Sequence, residues 1–462
     1  MKPKVINITL IVAAVVAGLV LLARSHAAPA IAEVAGDLNA ADMAWVSICA
    51  ALVMLMTPAL GFFYGGLVRQ KNLLSTIVQC LIIFALITGV WTFWGYSLAF
   101  GTSVGGFVGN LKYAFLRGVG SAPDTAYAAT IPALLLYFFQ LKFAAITPAL
   151  IIGALAERVK FSGLLVFLVI WATVVYAPVA HWVWGVGGWL RQLGALDFAG
   201  GTVVHIMAGV TALTAAMVIG RRKANVNCEA EEGPCNIPYV ILGASLLWFG
   251  WFGFNAGSAL AMNGIAVNAL VTTNIAAAFA VLSWVGVDWY LKGKPSASGA
   301  AIGGVCGLVA ITPAAGYVDA TAAIIIGLMA GLICNFSCVL LNRTKLDDTL
   351  DVFACHGVGG IWGALATGIF AQKAINPAGA DGLLYGNPKQ LLIQLIAILA
   401  VGAWAFIMST IILKVIDAVV GLRVTEEEEE MGLDLSQHGE SAYNLNFAPQ
   451  EFFWSQQKQR LH

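Results

Sequence analysis

Apolar runs of about twenty residues, divided by short polar breaks, repeat along nearly the whole chain. A helix needs a run of about that length to cross a hydrocarbon core. Eleven such spans are expected, at 43–66, 73–100, 127–156, 162–184, 198–220, 236–262, 266–291, 298–315, 319–342, 352–372 and 389–422. The breaks between them are short, the longest being 101–126, the acidic "NCEAEEGPCN" segment and 373–388. The last span is long enough to tilt strongly or to project beyond the bilayer. The pattern predicts an all-α polytopic membrane protein surrounded by membrane lipid.

A further apolar stretch precedes these spans. "MKPK" is a basic start, residues 5–23 are an apolar core and "AIA" at 30–32 suits signal peptidase. That order is the pattern of a secretory signal peptide, so residues 1–32 are expected to be cleaved. The long core leaves an uncleaved anchor as the alternative. The expected organisation is then a signal over 1–32, a transmembrane domain over 43–422 and a cytoplasmic tail over 423–462.

Composition agrees with this reading. Hydrophobic residues make up 60% of the 462 positions and charged residues only 10%, against about 25% charged in an average soluble domain. Net charge is zero, so there is no basic footprint for nucleic acid. Orientation follows from the loops. With the N-terminus outside, the inside loops carry Arg69, Lys71, Arg158, Lys160, Arg221, Arg222, Lys223, Lys292, Lys294, Arg343 and Lys345; the outside loops carry only Lys112, Arg117, Arg191, Lys373 and Lys389. The excess of inside cations predicts N-out, C-in in the cell (inner) membrane. The eight cysteines show no metal-type spacing. Cys49, Cys80, Cys306, Cys334, Cys338 and Cys355 sit in apolar runs and read as buried thiols, while Cys228 and Cys235 share a polar loop. No metal and no cofactor is expected.

Short motifs recur five spans apart. "ITPA" occurs at 146–149 and 311–314, "FYGG" at 63–66 resembles "FNAG" at 254–257, and "HIMAGV" from His205 resembles "HGVGGI" from His356. Five is odd, so the second half would lie inverted relative to the first. This is an inverted five-plus-five repeat around a central pore, an arrangement that places the substrate path between the halves near the membrane midplane.

Ionisable residues inside spans are costly and need a reason. His205 follows Asp197 by about 12 Å of helix and His356 follows Asp351 by about 7.5 Å. If the two helices are inverted partners, the imidazoles approach each other near the midplane, where they could share a proton. Two separately satisfied core histidines are the alternative. Asp197, before "FAGG", reads as an N-cap that would also set negative potential where a cation arrives. Asp351 is expected to cap span ten in the same way. Trp184, Phe143, Phe254 and Ser258 stand beside small or helix-breaking residues, where an aromatic face could hold a cation.

"MTPALGFFYGGLVRQKN", "DFAGGTVVHIMAG", "WFGFNAGSA" and "DVFACHGVGGIWGALATGIFA" resemble the signatures of the ammonium transporter (Amt/Mep/Rh) family. The resemblance runs from about Met43 to Tyr443. It implies a non-enzymatic homotrimer with one pore per subunit. It also implies an outer ammonium site of Trp184, Phe143 and Ser258, a gate of Phe143 and Phe254, His205 and His356 as twin pore histidines, and Asp197 as the acid at the entrance. The segment "TEEEEEMGLDLSQHGESAY" resembles the family's cytoplasmic tail, which couples subunits and meets a PII-type signal protein. By itself the glutamate run reads as solvated, and the residues after it are expected to dock on the cytoplasmic face. Lys142, beside the gate, is expected to snorkel or to face protein, and Met207 stands where a polar residue is usual.

The chemistry expected of this set is capture of ammonium outside, its deprotonation near the gate and passage of ammonia past the histidines. Three rival readings remain. An ammonium sensor would carry an appended signalling domain, an Rh-like gas channel would move no charge, and a cytochrome would use the two histidines as haem ligands.

Overall fold

A computed structural model describes residues 38–226 and 233–443. The signal segment, Cys228 and the end of the tail lie outside those residues. In chain order the helices are α1 (Ala40–Leu67), α2 (Gln70–Phe100), α3 (Ala133–Leu155), α4 (Phe161–Leu193), α5 (Gly201–Ile219), α6 (Ile237–Gly257), α7 (Gly264–Lys292), α8 (Ala297–Ile311), α9 (Ala320–Leu341), α10 (Phe353–Phe370) and α11 (Pro388–Val419). All but α8 are long and apolar enough to cross a membrane. At 15 residues α8 reaches about 22 Å. The chain is a mostly helical, multi-pass membrane protein, and each expected span overlaps one helix. A two-stranded ribbon, β1 (Ser103–Val104) against β2 (Val108–Gly109), follows α2.

Helix ends depart from the apolar runs where local chemistry intervenes. Pro132 starts α3 at residue 133 instead of 127, because its fixed φ suits an entry and its missing N–H costs nothing there. The α6 helix stops at Gly257 because Leu260 turns left-handed, Asp42 accepts from Met262 N at 2.8 Å and Asn263 caps α7. The α4 segment continues past Trp184, but extended backbone at Gly185 and Gly188 breaks it.

The helices meet through small residues, since apolar surface gives no preference for helix over lipid. A Cβ on Gly243 of α6 would lie 2.4 Å from Phe63 N of α1. A Cβ on Gly209 of α5 would lie 2.1 Å from Gly357 N of α10, and one on Gly360 would lie 3.1 Å from the His205 Cβ. The pairs α1/α6 and α5/α10 are the ones related by five spans.

Loops at one end of the bundle are tied by buried charge. Glu157, only 1% exposed, accepts from Arg69 N at 2.7 Å and Arg69 Nε at 2.8 Å, and pairs with Arg222 at 3.3 Å. Arg158 is fully buried and donates to the carbonyls of Gly220, Ala156 and Asp347 and to the Thr349 hydroxyl. Burial pushes the Asp347 carboxyl up, but the Arg158 and Arg222 guanidiniums outweigh it and hold the group below its ordinary value. Asp347 is therefore charged in its pair with Arg222.

The chain after α11 folds back on these same loops. Lys160 N donates to Leu422 O at 2.7 Å and Val424 N to Arg158 O at 3.1 Å. Thr425 and Glu428 form a capping box that starts α12 (Glu426–Met431). The glutamate run is not wholly solvated. Glu429 is 2% exposed and accepts from Lys223 N at 2.6 Å and Arg423 Nη2 at 2.7 Å. Asp434 accepts from the Leu74 and Ser75 amides at the start of α2.

The α5/α10 crossing generates a stability prediction. Gly209→Ala should destabilise the protein by about 1–3 kcal/mol or more, because the new methyl meets backbone. Gly402→Ala, where nothing lies within 4 Å of the added carbon, should leave thermal unfolding in detergent unchanged. Equal melting of the two variants would show that the crossing is not tight.

Candidate functional site

The segment "DFAGGTVVH" enters α5 through a folded cap. Gly200 adopts φ 119°, and any Cβ there would strike Val204. The turn lets the Asp197 carboxylate curl over the helix start. One oxygen accepts from Gly200 N at 2.8 Å and Gly201 N at 2.6 Å; the other accepts from Thr202 N at 2.8 Å, Val203 N at 3.2 Å and the Thr202 hydroxyl. Those donors are the orphan amides of a helix N-terminus. The carboxylate is thus occupied as a cap, and its backbone carbonyl accepts from Trp184 Nε1 at 3.0 Å.

The start of α10 is built alike, with one correction. Asp348, not Asp351, is the cap: it accepts from Phe353 N at 2.7 Å, whereas Asp351 sits in a left-handed turn at φ 54°. Asp348 precedes His356 by eight residues, as Asp197 precedes His205. Both histidines lie in π-helical turns, Gly201–Ile206 and Phe353–Val358. The repeat is D-x₇-H-x₃-G, and the glycines after each histidine are those at the helix crossing.

That crossing brings the imidazoles together. His205 Nδ1 and His356 Nδ1 are 3.2 Å apart, with ring centroids at 5.3 Å and planes 21° apart. Both rings are buried. One Nδ1 must carry the hydrogen that the other accepts. His205 Nε2 is buried without a hydrogen-bond partner.

Aromatic rings continue the line outward from the histidines. His205 is stacked on Trp251 at 5.4 Å and lies 6.0 Å from Phe254. Phe254 packs on Phe143 at 4.3 Å, and Phe143 meets Trp184 edge-on at 5.9 Å. Phe143 and Phe254 are each 1% exposed, while Trp184 is half-buried. Ser258, one turn beyond Phe254 and also half-buried, donates its hydroxyl to Phe254 O at 2.9 Å.

A cavity opens between Phe254 and the histidines. Its walls are Met56, Leu60, Ile146, Leu150, Val204, Leu247, Trp251, Phe254 and Val305, and its only polar lining residues are His205 and His356. Lys142 does not line it. That side chain is buried with Nζ 3.5 Å from the Phe138 ring centroid and 5.1 Å from that of Phe84, so it faces protein. Met207 is buried away from the cavity.

The sequence reading passed over two supporting residues. Trp251 covers His205 and is held by a bond from Nε1 to Thr312 Oγ1 at 2.9 Å. Gln394 of α11 accepts from Leu196 N at 2.8 Å and donates to Leu196 O at 2.7 Å, fixing the segment that delivers Asp197. Two glutamines four residues apart in the last apolar span, Gln390 and Gln394, were the available signal, since such groups must find partners.

A hydrophobic cavity with two hydrogen-bonded imidazoles suits a small molecule that can exchange a proton. Comparison with known proteins agrees. The model of the Ammonium Transporter Family matches residues 44–443. An ammonium transporter of Bacillus subtilis is 49% identical over 405 residues, covering 87% of this chain and 98% of that protein. Ammonium transporter Amt1 of Archaeoglobus fulgidus is 48% identical, covering 87% and 99%. The crystal structure of Candida albicans Mep2 superposes with a TM-score of 0.81 at 40% identity, covering 88% of this chain and 91% of that one. The chain belongs to the ammonium transporter family.

Proposed function

We propose that ammonium is captured outside against Trp184, Phe143 and Ser258, loses a proton at the Phe143–Phe254 gate, and crosses the cavity as ammonia past His205 and His356. The observation that carries this reading is the unbroken series Trp184, Phe143, Phe254, His205, His356, in which the His205 Nε2 is buried without a partner.

Charge decides what passes. An aromatic face attracts a cation by about 0.5–2 kcal/mol. An ion that remained charged in the apolar cavity would be opposed by tens of kcal/mol of idealised desolvation energy. Potassium cannot shed its charge; ammonium can, by leaving a proton behind. The gate rings must swing apart for either to enter, because at 4.3 Å they are in contact.

The histidine pair gives that proton a route. When both rings are neutral, the one donating through Nδ1 has a bare Nε2, and its partner carries hydrogen on Nε2. A proton arriving at the bare Nε2 pushes the shared Nδ1 hydrogen across, and the partner releases its own. The pair ends neutral with its bond reversed. Asp197 acts beside this path: it caps α5, holds Trp184 through its carbonyl and sets negative potential at the entrance.

The same reading places the N-terminus outside and the α12 end in the cytoplasm. Its support is the cluster of Arg69, Lys71, Arg158, Arg222 and Lys223 on the face where the tail docks. A homotrimer, with residues 423–443 as a regulatory tail that meets a PII-type protein, completes the proposal.

Four outcomes test it. His205→Ala or His356→Ala should lower ammonium uptake into proteoliposomes by about 100-fold or more, the scale of a lost acid–base relay. Acidic replacement of one histidine should retain conduction and admit potassium. Uptake at wild-type level in both alanine variants would remove the relay. Asp197→Ala should melt earlier, by about 1–3 kcal/mol for an emptied buried cap, and should also abolish uptake; a folded, fully active variant would leave Asp197 with neither role. Deletion of 425–462 should change uptake rate or its response to nitrogen supply while the pore stays folded, and identical uptake under every nitrogen condition would dismiss a regulatory tail.

A further inference from the structure

Half of the eight cysteines converge behind His356. Cys306 comes from α8, Cys334 and Cys338 from successive turns of α9, and Cys355 from α10 next to His356. All four are buried and free of disulfides. They share one cluster with Trp284 and Ala354. The four side chains, drawn from α8, α9 and α10, meet in that one buried cluster, with Cys355 next in sequence to His356. Transport as derived above uses none of them. A single buried cysteine is ordinary packing; thiols clustered from three helices also offer a set of soft ligands.

Geometry narrows what such a set can hold. Among the described residues, no three His, Cys, Asp or Glu side chains are placed to hold a metal ion together. A tetrahedral ion such as zinc is therefore unsuited. A soft ion content with two sulfurs in line needs only one cross-helix pair.

We propose that this cluster is a binding site for two-coordinate thiophilic cations, with Cys355 as one ligand and Cys306 or Cys338 as the other, and that its occupation arrests transport. With mercuric chloride as the probe, two S–H and two Hg–Cl bonds break, two S–Hg bonds form, and two HCl leave. No electrons change hands. The S–Hg–S unit is neutral, which an apolar surrounding tolerates and a charged complex would not enjoy. The bridge ties α10 to α8 or α9 at the residue beside His356. Held there, His356 can no longer close the 3.2 Å gap to His205 that the shared hydrogen must cross. The arrest, unlike the binding, rests on the transport reading above.

The experiment follows mercuric binding to purified protein by its sulfur-to-mercury ultraviolet absorbance, and ammonium uptake by the same protein in liposomes. Wild type should gain the band and lose uptake. A variant with Cys306→Ala, Cys334→Ala, Cys338→Ala and Cys355→Ala should gain no such band and keep its uptake in mercuric chloride. A variant with Cys49→Ala, Cys80→Ala, Cys228→Ala and Cys235→Ala should behave as wild type. If the first variant does not fold, Cys306→Ser with Cys338→Ser leaves Cys355 without either proposed partner and should give the same protection. Binding and inhibition that persist without the four thiols overturn the site, and a wild type that binds yet transports overturns the arrest. Absence of uptake before any mercuric chloride is added would count against the transport reading, and the absorbance would still decide the site.

Discussion

A charged group in hydrocarbon is so costly that an ionisable side chain within the bundle calls for a partner, a cap or a use. This one constraint organises the structure. It places the Asp197 carboxylate over the amides of Gly200 to Val203 and the Asp348 carboxylate over that of Phe353. It sends Lys142 onto the Phe138 face and gathers Glu157, Arg158, Arg222 and Asp347 into the loops at one end. Between the helices lies a cavity with apolar walls and two imidazoles bonded to each other. In the proposed mechanism the same penalty discriminates among solutes. On that reading, a cavity that solvates no ion favours a substrate able to become neutral.

The inverted repeat supplies the geometry that this chemistry needs. Two helices of opposite sense, each with a carboxylate cap and a histidine eight residues on, bring their rings together only if the backbones nearly touch. Gly209 and Gly360 permit that approach from either side. The cap, the π-helical turn and the crossing glycine are therefore parts of one device, used twice. Trp251 and Gln394 hold it from outside, the first by covering His205 and the second by fixing the backbone before Asp197.

The spans were legible because bilayer thickness sets a length that runs of Leu, Val, Ala and Ile record directly. Their ends were less so, since a proline at 132 or a left-handed turn at 260 overrides hydropathy. The histidines and aromatic residues stood out as polar or bulky groups in smooth apolar surroundings. The second cap was misplaced because Asp351 is nearer His356 than Asp348, and only the eight-residue spacing around Asp197 points to the right one. The face taken by Lys142 and the meeting of four cysteines could not be read. Helices that are apolar all round carry no periodic signal of which side meets protein. The burial of Glu429 was hidden for the opposite reason, because five identical residues give no hint of which one finds Arg423.

The central claim is that nitrogen crosses the cavity as ammonia while its proton passes over the histidine pair. The most direct test is electrical. Purified protein in a supported membrane should give a current on a step of ammonium and none on an equal step of potassium. Potassium current equal to that of ammonium would contradict an apolar, neutralising path. Ammonium uptake without any current would contradict the relay.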